Sequence, residues 1–221
     1  MKETGGRTIP EPSIIRLCQM YRFLEHCEFN NVTTVFSPEI GENLGIQAHT
    51  VRKDISYLGE IGNTAAGYEV KKLKEHIYHH LGLYKKRNAC VVGLGRLGQA
   101  IINYEQFFEG EYRVIAGFDT NINTLEMINT VINLYPSYRI EEVIKMLSIE
   151  LAVIAVPAGA AQEVCDRLVS GGVRGIINFA PVIVRAAKEG VIIRNSDLFG
   201  EFRILSALMD RHGVLPSVHD L

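Results

Sequence analysis

Six residues of this chain have the types and spacing to hold a diphosphate: Gly93-Leu94-Gly95-Arg96-Leu97-Gly98 follows a short apolar run, Asn88 to Val92, and opens an apolar stretch, Ala100 to Phe108. In that setting Gly93 permits a tight turn, Gly95 lets backbone approach a pyrophosphate, and Gly98 lets a helix pack closely on a strand. The phosphates would rest on the helix N-terminus, where free N–H groups and the helix dipole favour negative charge. Asp119 ends the next apolar run, Tyr112 to Phe118. A carboxylate there accepts hydrogen bonds from both adenosine ribose hydroxyls and repels a 2'-phosphate, so the cofactor is expected to be NAD(H), not NADP(H). A second set of candidate residues lies far upstream. Gln47, His49, Thr50, Arg52 and Lys53 occupy the face opposite Val51 and Ile55, with Tyr57 one turn further on. Such a face can address base edges and phosphates.

Each set needs elements to position it. Around Gly93 the chain alternates strands and helices: strands at Val131–Leu134, Leu151–Val156, Gly175–Phe179 and Val191–Arg194, and helices at Ile140–Leu147, Gly159–Ser170 and about Ser196–Arg211. This is the pattern of a doubly wound parallel sheet. The loops Val156-Pro157-Ala158 and Asn178-Phe179-Ala180-Pro181 then lie where the nicotinamide half of a dinucleotide rests. Val156, Pro157, Phe179, Ala180 and Pro181 accordingly join the Gly93–Gly98 segment and Asp119 as expected cofactor-binding residues.

Upstream, Ile14, Leu17, Tyr21 and Leu24 recur at helical spacing within Ser13–Cys27, and Ser37-Pro38 reads as an N-cap and first helical residue of a short helix ending at Leu44. Gly45 separates it from a helix over Gln47–Leu58. Two short helices joined by a tight turn are a helix-turn-helix, whose second helix enters the major groove. Gly59, Gly62 and Gly67 punctuate the next stretch of chain, with Tyr68 and Val70 as the returning strand of a hairpin, which completes a winged helix. Its tip, Asn63-Thr64-Ala65-Ala66, has no Lys or Arg. A connecting helix over Lys71–Tyr84 carries Leu73, Ile77, Leu81 and Tyr84 as one stripe.

Composition agrees with a chain of this kind. The 221 residues are 47% hydrophobic and 22% charged, with a formal net charge of -2. Residues 1–86 hold eleven Lys/Arg against ten Asp/Glu, so the first part has no strong electrostatic pull on nucleic acid. Cys18, Cys27, Cys90 and Cys165 form no Cys-x-x-Cys pair, and His76 and His80 are read as a solvated cluster, so no metal is expected. No run of 18 or more apolar residues and no signal-peptide pattern is present, and a soluble cytoplasmic protein is expected. No His, Lys or Tyr sits in the loops after Val156 or Phe179 to donate a proton, so a sensor of the dinucleotide is expected in place of an enzyme.

Taken in order, Arg52-Lys53-Asp54-Ile55-Ser56-Tyr57-Leu58-Gly59, the Gly93 segment running on to Tyr104, Val156-Pro157 with Ala161-Gln162, and Gly175-Ile176-Ile177-Asn178-Phe179-Ala180-Pro181 resemble the redox-sensing transcriptional repressors of the Rex family over nearly the whole chain. The resemblance implies a homodimer whose C-terminal helices, about 197–212, are exchanged between subunits. It implies that Arg52 and Lys53 enter the major groove of a palindromic operator and that NADH releases the DNA. It also implies a switch triad of Arg22, Tyr104 and Asp197, in which Asp197 pairs with Arg22 in the DNA-bound form and with Tyr104 in the NADH-bound form. On this basis the chain is expected to divide into a winged-helix domain (1–86), a Rossmann-type NAD(H) domain (87–196) and a swapped helix with its tail (197–221). This sequence departs from the family pattern at the uncharged wing, at Cys18, where a proline is usual, and at Asn121, where a second acid is usual. A Rex-like paralogue that has lost tight DNA binding, or a small NAD-dependent oxidoreductase, are the alternative readings.

Overall fold

The computed structural model describes residues 8–59, 61, 66–104 and 111–211. Among them the chain forms two compact units that meet at Lys85 and Lys86.

The first unit is built on four helices around one core. Helix α1 (Glu11–Phe29) starts beside Pro10, whose carbonyl accepts from the amides of Ser13 and Ile14. It buries Leu17, Met20, Leu24 and Cys27, one helical stripe. Helices α2 (Ser37–Leu44) and α3 (Ala48–Ser56) pack on it and are joined by a turn at Gly45, whose φ of 67° lies in the left-handed region. Ser37 is the first residue of α2 and not its cap. The Glu39 carboxylate instead accepts from the Phe36 amide at 2.7 Å, which frees the Ser37 hydroxyl for another partner.

Of the expected wing hairpin, the returning strand is present at Tyr68. Strand β2 (Tyr68–Glu69) pairs antiparallel with β1 (Thr34–Val35), and Val70 is already the first residue of helix α4 (Val70–His80). The wing-tip residues 63–65 lie outside the described residues. Helix α4 buries Val70, Leu73 and Ile77, but Tyr84 is half exposed and packs its ring against Tyr78 and His79, not on the stripe.

The second unit is a parallel sheet of six strands: β3 (Arg87–Val92), β4 (Tyr112–Asp119), β5 (Asn133–Pro136), β6 (Leu151–Ile154), β7 (Gly175–Asn178) and β8 (Ile192–Asn195). Their spatial order is β5-β4-β3-β6-β7-β8, the doubly wound arrangement with its switch point between β3 and β6. Helices α7 (Ile140–Leu147) and α8 (Ala158–Gly171) cover one face through a core that includes Val92, Phe118, Ile144, Ile154 and Leu168. Helix α5 (Arg96–Ile102) and helix α6 (Ile122–Met127) lie at the other face, whose core holds Val91, Leu94, Ile102 and Val114. The fingerprint helix thus begins at Arg96, earlier than expected, and the segment to Phe108 reaches beyond the described residues. The last helix, α9 (Leu198–Arg211), buries none of its residues within the chain.

Candidate functional site: a dinucleotide cleft and a helix-turn-helix face

The three glycines do three different things. A Cβ on Gly93, whose φ is 92°, would stand 2.5 Å from the Ala155 carbonyl oxygen, so this turn is closed to any other residue. A Cβ on Gly98 would stand 1.9 Å from the Gly93 carbonyl oxygen, so α5 lies directly against the turn that precedes it. A Cβ on Gly95 would meet no protein atom within 4 Å, which leaves this stretch of backbone open to a ligand. The first amides of α5 have no acceptor within the helix.

Asp119, at the end of β4, is placed by the same turn. Its carboxylate accepts from the Leu94 amide at 2.7 Å and from the Asn121 amide at 2.8 Å. A carboxylate offers about four lone-pair sites, so two stay available for ribose hydroxyls. Gly93, Gly95, Asp119, Val156 and Pro157 line one cleft of about 580 Å³ together with Thr120, Ser137, Ile140, Glu163 and Arg167. Leu94 turns away from it: its side chain is fully buried in the core beneath the sheet. Arg96, Leu97 and Gly98 belong to the first turn of α5, where Leu97 is exposed and Gly98 is packed.

Ala180 and Pro181 line a separate, smaller cavity of about 260 Å³ with Asp197, Phe199 and Arg203. Phe179 is exposed at its edge of the sheet. Two asparagines shape this loop, of which Asn195 is not singled out by the sequence pattern. Buried Asn178, the last residue of β7, donates to the Val182 carbonyl at 2.7 Å and to the Asn195 side-chain oxygen at 2.9 Å, and accepts from the Ala180 amide at 3.0 Å. Asn195, the last residue of β8, accepts from the Val184 amide at 3.0 Å. Gln162 adds a staple from α8, accepting from the Arg185 amide at 3.1 Å and donating to its carbonyl at 2.9 Å.

In the first unit, α3 displays Gln47, His49, Arg52 and Lys53 to solvent, while Thr50 and Tyr57 are half-buried. Arg52 is anchored: its guanidinium donates to the Ser37 hydroxyl at 2.9 Å, so one end of the basic pair is tied to the first turn of α2. Asp54, between Lys53 and Ile55, points the other way. It is fully buried and receives two hydrogen bonds from Arg16 of α1, at 2.5 and 2.8 Å, which hold the Arg16 guanidinium above its ordinary pKa. The acid of the Arg-Lys-Asp block therefore fixes α3 to α1. Replacing Arg16 by Ala leaves a buried carboxylate without its cation and is expected to lower stability by about 3–5 kcal/mol. Urea denaturation followed by far-UV circular dichroism reads this directly, and an unchanged midpoint would contradict it.

The three switch positions are all at the surface of their own units. Arg22 lies on the exposed side of α1 in an open hollow with Gln19, Phe23, His26, Asn43 and Leu44. Tyr104 follows α5 and is half exposed. Asp197 caps α9, its carboxylate accepting from the Gly200 amide at 2.9 Å and its carbonyl from the Glu201 amide at 3.1 Å. Burial pushes the thiols of Cys18, Cys27, Cys90 and Cys165 upward, so none is poised as a thiolate. Among the described residues no group of three or more metal-ligating side chains occurs, and no helix is long and apolar enough to cross a membrane.

These two sites can be set beside known proteins. Residues 84–182 match the family described as "CoA binding domain", and residues 8–56 match "Putative DNA-binding protein N-terminus". A protein of Carboxydothermus hydrogenoformans, "Redox-sensing transcriptional repressor Rex", is 40% identical over 204 residues, spanning 91% of this chain and 96% of that protein. The chain belongs to the Rex family. A Rex repressor of Streptomyces coelicolor is 38% identical over 203 residues, 92% of this chain and 78% of that protein. The fold agrees as closely. A crystal structure of the Rex-family repressor RSP with β-NAD+ and operator DNA has a TM-score of 0.84 at 29% identity, covering 94% of this chain and 96% of that one. RSP with β-NADH has a TM-score of 0.83 at 28% identity, covering 94% and 97%. Rex proteins are regulators by name, and the fold here is theirs: an N-terminal helix-turn-helix unit followed by a Rossmann-type sheet.

Proposed function

We propose that this chain is a redox-sensing transcriptional repressor, not an enzyme, that binds operator DNA and is released from it by NADH. The observation that carries the reading is the pairing, in one chain of this family, of an open diphosphate turn at Gly95 with the exposed Gln47–Lys53 face of α3. In this reading NAD(H) lies across the ends of β3 and β6, its diphosphate on Gly93–Gly98 and its adenosine ribose on Asp119. Its nicotinamide lies toward Val156-Pro157 and Phe179-Ala180-Pro181. Gln47, His49, Thr50, Arg52, Lys53 and Tyr57 meet the operator.

The chain works as a cytoplasmic homodimer in three parts, 1–86, 87–196 and 197–221, the last being exchanged between subunits. Support for the exchange comes from α9, whose Leu198, Phe202, Leu205 and Met209 stripe is unburied within the chain. Asp197 of the partner subunit pairs with Arg22 when DNA is bound and with Tyr104 when NADH is bound.

A ligand shifts an equilibrium only by binding one state better than the other. NADH therefore favours a dimer whose two α3 helices no longer match major grooves one turn, about 34 Å, apart. Reciprocity makes operator DNA weaken NADH binding by the same factor, a coupling of roughly 1–3 kcal/mol. Fluorescence anisotropy on a labelled Rex-type palindrome, titrated with NADH, is expected to show release. NADH titrations with and without operator are expected to differ by about 5- to 150-fold. Equal affinities in the two titrations would remove the switch, and absence of tight binding to the palindrome would favour the paralogue without an operator.

A further inference from the structure

The cleft has an end that the diphosphate and ribose do not use. It is also lined by Ser137 and Ile140, which lead into α7, and by Ala160, Glu163, Val164 and Arg167 of α8. Glu163 and Arg167 stand one turn apart on α8, so both reach the same side of the helix.

Their surroundings differ. The Arg167 guanidinium donates to the Tyr138 carbonyl at 2.9 Å and lies 3.9 Å from the Glu141 carboxylate, which fixes it at the wall. Glu163 is exposed and makes no hydrogen bond or ion pair among the described residues. A second carboxylate, in a cleft that already holds Asp119 and is read as receiving two phosphates, is unfavourable unless it meets a donor carried by the ligand. At this end an adenine presents one strong donor pair, its exocyclic amine. Arg167 has donors only, so it cannot take that amine, but its planar guanidinium can lie against the purine face. Ala160, which is partly exposed, and the edge of Val164 provide apolar surface for the ring.

We propose that Glu163 accepts a hydrogen bond from the exocyclic amine of adenine, making the site selective for adenine over deaminated dinucleotides, with Arg167 as the positioning group against the ring. This rests on reading the cleft as the NADH site. A hydrogen bond to a charged acceptor is stronger than one between neutral groups, so an analogue that lacks the amine loses affinity.

The test uses the full chain and the fluorescence of the reduced nicotinamide, with NADH and reduced nicotinamide hypoxanthine dinucleotide as probes. The native chain is expected to bind NADH at least about tenfold more tightly than the hypoxanthine analogue. Glu163→Gln can accept from the amine or donate to the hypoxanthine oxygen, and is expected to bring the ratio within about twofold. Comparing the ratio, not the affinity, cancels any effect of the lost charge on the phosphates. A native ratio near one, with NADH bound, overturns the Glu163 assignment while leaving the NADH reading intact. A tenfold ratio that Glu163→Gln preserves also overturns it, since another group then reads the amine. Absence of NADH binding to the native chain overturns both.

Discussion

Replacing Phe202 and Leu205 together by Glu is expected to turn the proposed dimer into monomers and to lower operator affinity by at least about a hundredfold. The two side chains are 62% and 53% exposed within the chain and share one stripe with Leu198 and Met209. Covering a stripe of this size by a second copy contributes on the order of 5 kcal/mol, enough to hold two chains together, and burying two carboxylates there removes it. Glu is a good helix former, so α9 itself persists. The DNA effect follows from bivalency: two recognition helices on one dimer bind the second half-site as an intramolecular event, and a monomer loses that gain of roughly 10² to 10⁴. Sedimentation equilibrium and operator anisotropy on the same preparations read the two effects. A dimer of unchanged operator affinity would refute the role given to α9.

Gly95→Ala and Gly98→Ala are expected to separate two functions of one turn. At Gly98 the new methyl would stand 1.9 Å from the Gly93 carbonyl oxygen and 2.9 Å from its carbon. Both are backbone atoms, so α5 must move off β3, at a cost of about 1–3 kcal/mol or more. The turn proposed to receive the diphosphate moves with it, and NADH binding is expected to fall by more than tenfold. At Gly95 no protein atom lies within 4 Å of the added methyl, so thermal stability is expected to stay within about 0.5 kcal/mol while NADH binding falls similarly. Both variants should then hold operator DNA in the presence of NADH that displaces the native chain. Thermal melts beside NADH titrations test the pair, and normal NADH binding by Gly95→Ala would show that the diphosphate lies elsewhere.

Much of the fold and of the cleft was legible along the chain, for reasons that differ by residue. The Gly93–Gly98 spacing carries its own geometry, because close approach demands the absence of a side chain wherever backbone meets backbone. The parallel sheet was legible in the alternation of apolar runs and amphipathic segments. What could not be read was set by contacts distant in sequence. The β1–β2 pairing joins two-residue strands more than thirty positions apart, too short for any periodicity. Helix α6 buries none of its residues, so no apolar stripe marks it in the sequence. Asp54 stands in a basic, exposed-looking block, and only its bond to Arg16, 38 residues away, gives it a structural part. Glu163 looks like any polar residue on the outer face of a helix, and only the cleft it shares with Asp119 and Ser137 sets it apart.

The paired asparagines at the ends of β7 and β8 make a mechanical linkage. Asn178 and Asn195 bind the Ala180–Val184 loop to the last strand, and Asn195 stands two residues before Asp197, the cap of α9. The loop and the root of the helix therefore behave as a lever and its pivot in one casting. A displacement of about an ångström at Ala180 or Pro181 would, if these bonds held, be passed to the first turn of α9 and move its far end by more, since the helix runs about 21 Å from that root.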